Sequence, residues 1–329
     1  MQIRRFTPDD HDTVVAAVEL VNAALKVDSP FDQPFTERSY ALMLRNGWDG
    51  EPPETHAAWE DNRLVGVLAV DTSEWDNTHV GWLELVVHPD ARGAGRGSEL
   101  MAFAERRTRE LGRTSIGTFG WDNEVTRGFA AKHGLPAKGT AVKRRQTLAR
   151  LDRATLEELH HDAAAHAADY ELLRIVGHTP PELLEAVAEM TSAINDAPTD
   201  ELDIEDEVFP AERIQGYESA QEALGQRLYR VVARHRGSGA LAGHTVVVVD
   251  SERPWIGNQH DTSVVADHRG HRLGLLLKVD MLRWLGEAEP QLATIDTWNM
   301  ESNGFMIGVN EKLGYEVLAR ELQFQRDVR

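Results

Sequence analysis

The chain has 329 residues, 35 basic against 54 acidic for a net charge of −19, and 41% hydrophobic content, the proportions of a globular protein long enough for two domains. The acidic excess argues against nucleic acid and anionic membrane surfaces as partners. No run approaches the roughly 18 apolar residues of a spanning helix, and MQIRRFTPDD lacks an apolar leader, so a cytoplasmic protein is expected. Without cysteine, disulfides, thiolate metal sites and thiol nucleophiles are excluded.

In chain order, MQIRRF reads as a short strand, and Asp9 or Asp10 precedes the helical pattern DTVVAAVELVNAAL. RLVGVLAV and GWLELVVH are compact β-rich runs, the second leading through a glycine-rich loop into the helix SELMAFAERRTREL. A strand at TSIGTFGW, a helix at EVTRGFAAKH and a strand near VKRRQTLARL complete the first half as β, α, α, β, β, β, α, β, α, β. That alternation predicts an α/β fold of α+β type, a mixed and mostly antiparallel sheet flanked by helices.

The second half repeats the first. Arg269 follows Arg92, and Trp298 follows Trp121, at an offset of 177; Asn303 follows Asn123, and Gly314 follows Gly134, at 180. The expected organisation is an N-terminal domain over 1–151, a helical connector over 152–168 and a C-terminal domain over 169–329. His160, His161 and His166 lie on the connector; a solvated helix face accounts for them, and no metal site is expected.

The loop RGAGRG, with Gly93, Gly95 and Gly97 between a strand and a helix, suits a phosphate cradle: small residues turn backbone N–H groups toward one point at the positive end of the helix dipole. It is neither a P-loop, lacking Gly-Lys-Ser/Thr, nor a dinucleotide fingerprint, since its strand arrives fourth.

VVHPDARGAGRG resembles the acyl-CoA-binding motif of the GNAT superfamily, with Arg92, Gly95 and Gly97 matching its pattern, and NEVTRGFAAKHGL and NGFMIGVNEKLGY resemble the segment that follows. The likeness covers nearly the whole chain as two tandem GNAT folds, the layout of two-domain actinobacterial members. It implies acetyl-CoA as cofactor and transfer of an acetyl group to an amine. In the first copy it implies cofactor contacts from Leu85, Val86 and Val87 on the strand, from Arg92, Gly93, Ala94, Gly95, Arg96, Gly97 and Ser98 in the loop, and from Asn123. In the second it implies Thr262, Ser263 and Val264, then Arg269, Gly270, His271, Arg272, Leu273 and Gly274, and Asn303. Arg272 replaces the first motif glycine, a conformational cost if the position needs positive φ, though its guanidinium offers a phosphate ligand. The family's acidic tyrosine is replaced by Ala130 and Asn310.

Deprotonating an ammonium of pKa near 10 needs a base. Glu84 and Asp261, each eight residues before its motif arginine, are the candidates, although an acid on the outward face of a strand reads equally well. Asn310 offers a hydrogen bond to the departing thiolate. NDAPTDELDIEDEV, with Asp203, Glu205 and Asp206 at its centre, reads first as a solvated acidic loop, as charge runs usually are; the alternative is that it attracts a small cationic amine, such as a polyamine, an aminosugar or a basic peptide end, as the acceptor at the C-terminal copy. The expectation is an N-acetyltransferase whose C-terminal copy does the chemistry, with a non-catalytic acetyl-CoA-binding or regulatory protein as the competing reading.

Overall fold

The computed structural model describes residues 1–328, in which twelve strands and nine α-helices follow in order. The first half contributes β1 (Gln2–Phe6), α1 (His11–Asp28), α2 (Glu37–Asn46), β2 (Glu54–Glu60), β3 (Arg63–Asp71), β4 (Val80–Val87), α3 (Arg96–Glu110), β5 (Ser115–Trp121), α4 (Glu124–Lys132) and β6 (Ala137–Thr147). After α5 (Arg153–His166), the second half repeats the order: β7 (Tyr170–Val176), α6 (Leu184–Thr191), α7 (Ala211–Ala223), β8 (Gln226–His235), β9 (Leu241–Asp250), β10 (Ile256–Val264), α8 (Leu273–Ala288), β11 (Thr294–Met300), α9 (Gly304–Lys312) and β12 (Tyr315–Asp327).

These elements form two compact units that do not follow the halves of the chain. The first comprises Met1–Thr140, Thr199–Asp206 and the residues from Arg320 on; the second comprises Ala141–Pro198 and Glu207–Ala319. The expected division at 151 and 168 runs in chain order, whereas the structure exchanges the last strands. In the first unit the sheet order is β1-β2-β3-β4-β5-β12, antiparallel except for β4 with β5, and β12 supplies the partner of β5 from Glu321↔Trp121 to Asp327↔Ser115. In the second unit the order is β7-β8-β9-β10-β11-β6, antiparallel except for β10 with β11, and β6 pairs with β11 from Ala141↔Met300 to Thr147↔Thr294.

Both sheets are covered on two faces. In the first unit Phe6, Val18, Leu20, Leu44 and Val67 bury the α1–α2 side, and Leu68, Leu83, Leu100, Met101 and Phe324 bury the α3 side. A capping box between Thr36 and Ser39 starts α2 and fixes where its inward residue Tyr40 falls. In the second unit Ile175, Val187, Met190, Ile214 and Val232 fill the α6–α7 side, while α8, apolar nearly all round, is sunk against α5 and the sheet. Among the described residues, no helix is long and apolar enough to cross a membrane.

Candidate functional site

In the first unit, parallel pairing of β4 with β5 stops at Leu83↔Thr118, where the Thr118 hydroxyl donates to the Leu83 carbonyl at 2.8 Å. Beyond that rung Leu85, Val86 and Val87 pair only with β3, so the edge of β4 facing β5 is left without a strand partner. A strand with one open edge is a ready slot for an extended polar chain. The loop follows directly. Gly93 and Gly95 take φ of 78° and 86°, and nothing lies within 4 Å of where their Cβ atoms would stand. The amides of Gly93, Ala94 and Gly95 donate to no protein acceptor among the described residues, and they lead into the first turn of α3, whose own N–H groups lack intrahelical partners. Gly97 has a different reason: a Cβ there would stand 3.0 Å from the Phe129 ring.

The second unit repeats this backbone. Pairing of β10 with β11 stops at Asn258↔Asp296, ahead of Thr262, Ser263 and Val264. Arg269 Nε donates to the Val264 carbonyl at 3.0 Å, as Arg92 Nε donates to that of Val87 at 3.1 Å. Gly270 has φ of 89° and Arg272 φ of 55°, so the position does require the left-handed conformation and Arg272 adopts it without glycine's freedom. His271 and Arg272 lead into Leu273 and Gly274 at the start of α8.

The expected arginine ligands are held by protein carboxylates. Arg92 donates to Asp28 at 2.8 Å, Arg96 to Glu60 at 2.9 Å and to the Ala91 carbonyl at 3.0 Å; Arg269 pairs with Asp196 and Arg272 with Asp162. What remains open in each loop is the amides, and in the first unit also the neighbourhood of Ser98, whose hydroxyl meets Lys132 Nζ at 2.9 Å and His133 Nε2 at 3.0 Å. Asn123 and Asn303 are helix caps: their side-chain oxygens accept from the amides of Thr126 at 2.9 Å and Met306 at 3.1 Å. Asn310 is buried, bound to Lys278 Nζ at 2.7 Å and to Asn299 at 2.7 Å, which removes it as a free donor. Ala130 is core.

Glu84 and Asp261 stand on the faces that carry the acceptor-side helices. Beside each is a tyrosine that the sequence reading passed over, Tyr40 on α2 and Tyr217 on α7, and these too are 177 apart. Desolvation by the surrounding protein raises the carboxyls of both Glu84 and Asp261, although Glu84 keeps an exposed surface and Asp261 is half-buried. Near Glu84, Asp71 is pushed up to about 6 by desolvation and then by Asp49, Glu51 and Glu84. Both tyrosine hydroxyls are raised by burial and then by the neighbouring carboxylate.

The centre of the acidic segment lies outside the second unit, while its ends, Asp196 and Glu207, stay in it and pair with Arg269 and Arg213. Thr199–Asp206 belongs to the first unit: Asp203 N–H donates to Gln325 at 2.6 Å, Glu205 N–H to Asn77 at 2.7 Å, and His79 lies 3.1 Å from the Asp203 carbonyl. Asn77 and His79 precede Val80, so Asp203, Glu205 and Asp206 stand at the end of β4 remote from the glycine loop. Backbone pairing, which charge patterning cannot reveal, decided their position.

Each unit thus has, among the described residues, a loop of unpaired backbone amides leading into a helix N-terminus, a strand whose edge opens just ahead of that loop, and a carboxylate on the same strand, Glu84 or Asp261. Residues 21–135 match the model of the acetyltransferase (GNAT) family. A tandem GNAT protein from the clavulanic acid biosynthesis pathway shares the fold over 100% of this chain and 98% of its own, with a TM-score of 0.82 and 25% identity. A GCN5-related N-acetyltransferase from Sphaerobacter thermophilus shares it over 100% and 96%, with a TM-score of 0.70 and 15% identity. A glucosamine N-acetyltransferase region of a fungal β-N-acetylglucosaminidase shares it over 98% of this chain and 38% of that one, with a TM-score of 0.72 and 14% identity. No curated protein matches the chain. Residues 21–135 thus carry an acetyltransferase (GNAT) family domain, and the chain as a whole shares the fold of a tandem GNAT protein.

Proposed function

We propose that the protein is an acetyl-CoA-dependent N-acetyltransferase acting on the amine of a small cationic acceptor, with the transfer carried out in the first unit. The observation that carries this reading is the meeting, in that unit alone, of a loop with glycine at both left-handed positions, Gly93 and Gly95, with Glu84 and the acidic group around Asp71. The amides of Gly93, Ala94 and Gly95 and the first turn of α3 would hold the pyrophosphate, and the open edge of Leu85–Val87 the pantetheine. Acetyl-CoA supplies a thioester carbonyl as the electrophile. Asp71, Asp49 and Glu51 attract the ammonium, and Glu84 takes its proton directly or through water so that the nitrogen can attack. Ala130 offers no acid for the leaving thiolate, and a thiol of pKa about 8.5 makes one dispensable.

This moves the chemistry from the C-terminal copy, whose supports were the acidic segment, Asp261, Asn303 and Asn310; Thr199–Asp206 of that segment lies in the other unit, the two asparagines are a cap and a buried structural amide, and Asp261 alone keeps its place. A second reading, transfer at Asp261, rests on its pairing in space with Tyr217. Steady-state kinetics on a panel of amines separates the two: Glu84→Gln should lower kcat/KM by about 10²-fold, with Asp261→Asn near wild type. The reverse pattern would place transfer in the second unit, and no coenzyme A release with any amine would favour a binding or regulatory protein.

A further inference from the structure

On the α6–α7 side of the second unit, three adjacent strands carry buried polar side chains with unmet hydrogen-bonding atoms. Arg230 on β8 is 2% exposed, His244 on β9 1% and Ser263 on β10 7%. Among the described residues, no protein group pairs with Arg230 Nε, either ring nitrogen of His244 or the Ser263 hydroxyl. Each such group costs about 1–3 kcal/mol of desolvation when left unpaired, so four in one place need an explanation. His244 and Ser263 are direct cross-strand partners, which puts their side chains on one face.

The first unit shows that the fold does not require them. The cross-strand pair in the same place on β3 and β4 is Val67↔Val86, each 177 residues earlier, and it is apolar. The surroundings in the second unit are also apolar, with Val232, Ile175 and Leu241 on the same face.

Charge narrows what the group can meet. Arg230 is already matched by Glu218, which it contacts at 2.5 Å and which also accepts from the Thr179 amide at 2.9 Å and its hydroxyl at 2.5 Å. His244 is kept neutral, its pKa depressed to about 3 by desolvation and then by Arg230, so its ring offers one donor and one acceptor. The unmet set is therefore mixed and without net charge, and burying an ion against it would cost more than burying a neutral group. Asp261, with Tyr217 and His260 hydrogen-bonded to each other at 2.6 Å, forms a partly exposed rim beside it.

We propose that this face of the second unit binds a small molecule through an uncharged group that both accepts and donates hydrogen bonds, as a carboxamide or neighbouring sugar hydroxyls do, held by Arg230, His244 and Ser263. The site is distinct from the acceptor position proposed at Glu84, and its test reads binding rather than turnover, so it stands or falls separately.

Titration calorimetry on the full-length chain with glycinamide, glucosamine, glycine and propylamine provides the test. Glycinamide or glucosamine should bind at least tenfold more tightly than propylamine, and glycine, which adds an unmatched charge, no better than propylamine. The double substitution His244→Val with Ser263→Val, which copies the first unit's own pair, should erase that advantage and leave Tm equal or higher. Ser263→Ala carries the same comparison should the double variant fold poorly. An advantage for neither polar probe, an advantage that survives the substitutions, preferential binding of glycine, or a fall in Tm marking the pair as structural would each overturn the proposal.

Discussion

Asp71 and Lys278 are the residues whose ionisation the fold alters in ways an experiment can follow. Asp71 is neutral below pH about 6 and charged above it, and an amine acceptor is cationic throughout that range, so amine affinity should strengthen as pH rises from 5 to 7. Asp71→Asn should flatten that profile; an unchanged slope would remove Asp71 from the acceptor side. Lys278, 2% exposed and stacked 4.9 Å from the Tyr315 ring, has its pKa lowered to about 7 by desolvation. Its folded pKa lies below the unfolded value, so the unfolded chain binds more protons between about pH 7 and 10 and stability rises with pH there. Urea unfolding of wild type should show that rise, and Lys278→Met should lack it.

At the level of elements, the strand-loop-helix unit is the same backbone twice with different side chains. Gly95→Asp would put a negative charge into the cradle at the dipole's positive end, and acetyl-CoA affinity at the first unit should fall at least tenfold, about 1.4 kcal/mol, by calorimetry on the full-length chain. At the matching position, Arg272→Gly relieves a non-glycine residue at φ of 55° and gives up only an exposed ion pair with Asp162. A stabilisation of about 0.5–1 kcal/mol in denaturant unfolding is expected, and a loss of stability would mean that the ion pair outweighs the strain.

For the molecule as a whole, the exchange of last strands predicts how fragments behave. Residues 1–150 alone lack the part of β12 that pairs with β5 from Ser115 to Trp121 and the core residues Leu322, Phe324 and Val328. The bare edge of β5 and the missing apolar wall should leave that fragment poorly folded or aggregated by circular dichroism and size-exclusion chromatography. Joining residues 315–328 to it should restore a cooperative unfolding transition. A fragment that folds as well without them would show that β12 is dispensable to the first unit.

Local pattern sufficed for the order of elements, the doubling of the chain and the two strand-to-helix turns, because hydrophobic period, helix caps and left-handed turn positions are written over a few residues: Gly93, Gly95 and the 177-residue repeat needed no tertiary contact to be read. Tyr40 and Tyr217 obeyed the same repeat and were legible in principle, but nothing local marks a tyrosine as facing a strand carboxylate. The rest depended on long-range pairing. Only the folded sheet shows that β12 completes the first unit, that Asp203 and Glu205 are tied to Gln325 and Asn77 and lie far from the glycine loop, and that His244 and Ser263 face each other unsatisfied where the other unit places two valines. Register and burial decide such matters, and both arise only when a sheet brings separate segments together, from neighbouring strands such as those of His244 and Ser263 to ones 200 residues apart such as Trp121 and Glu321.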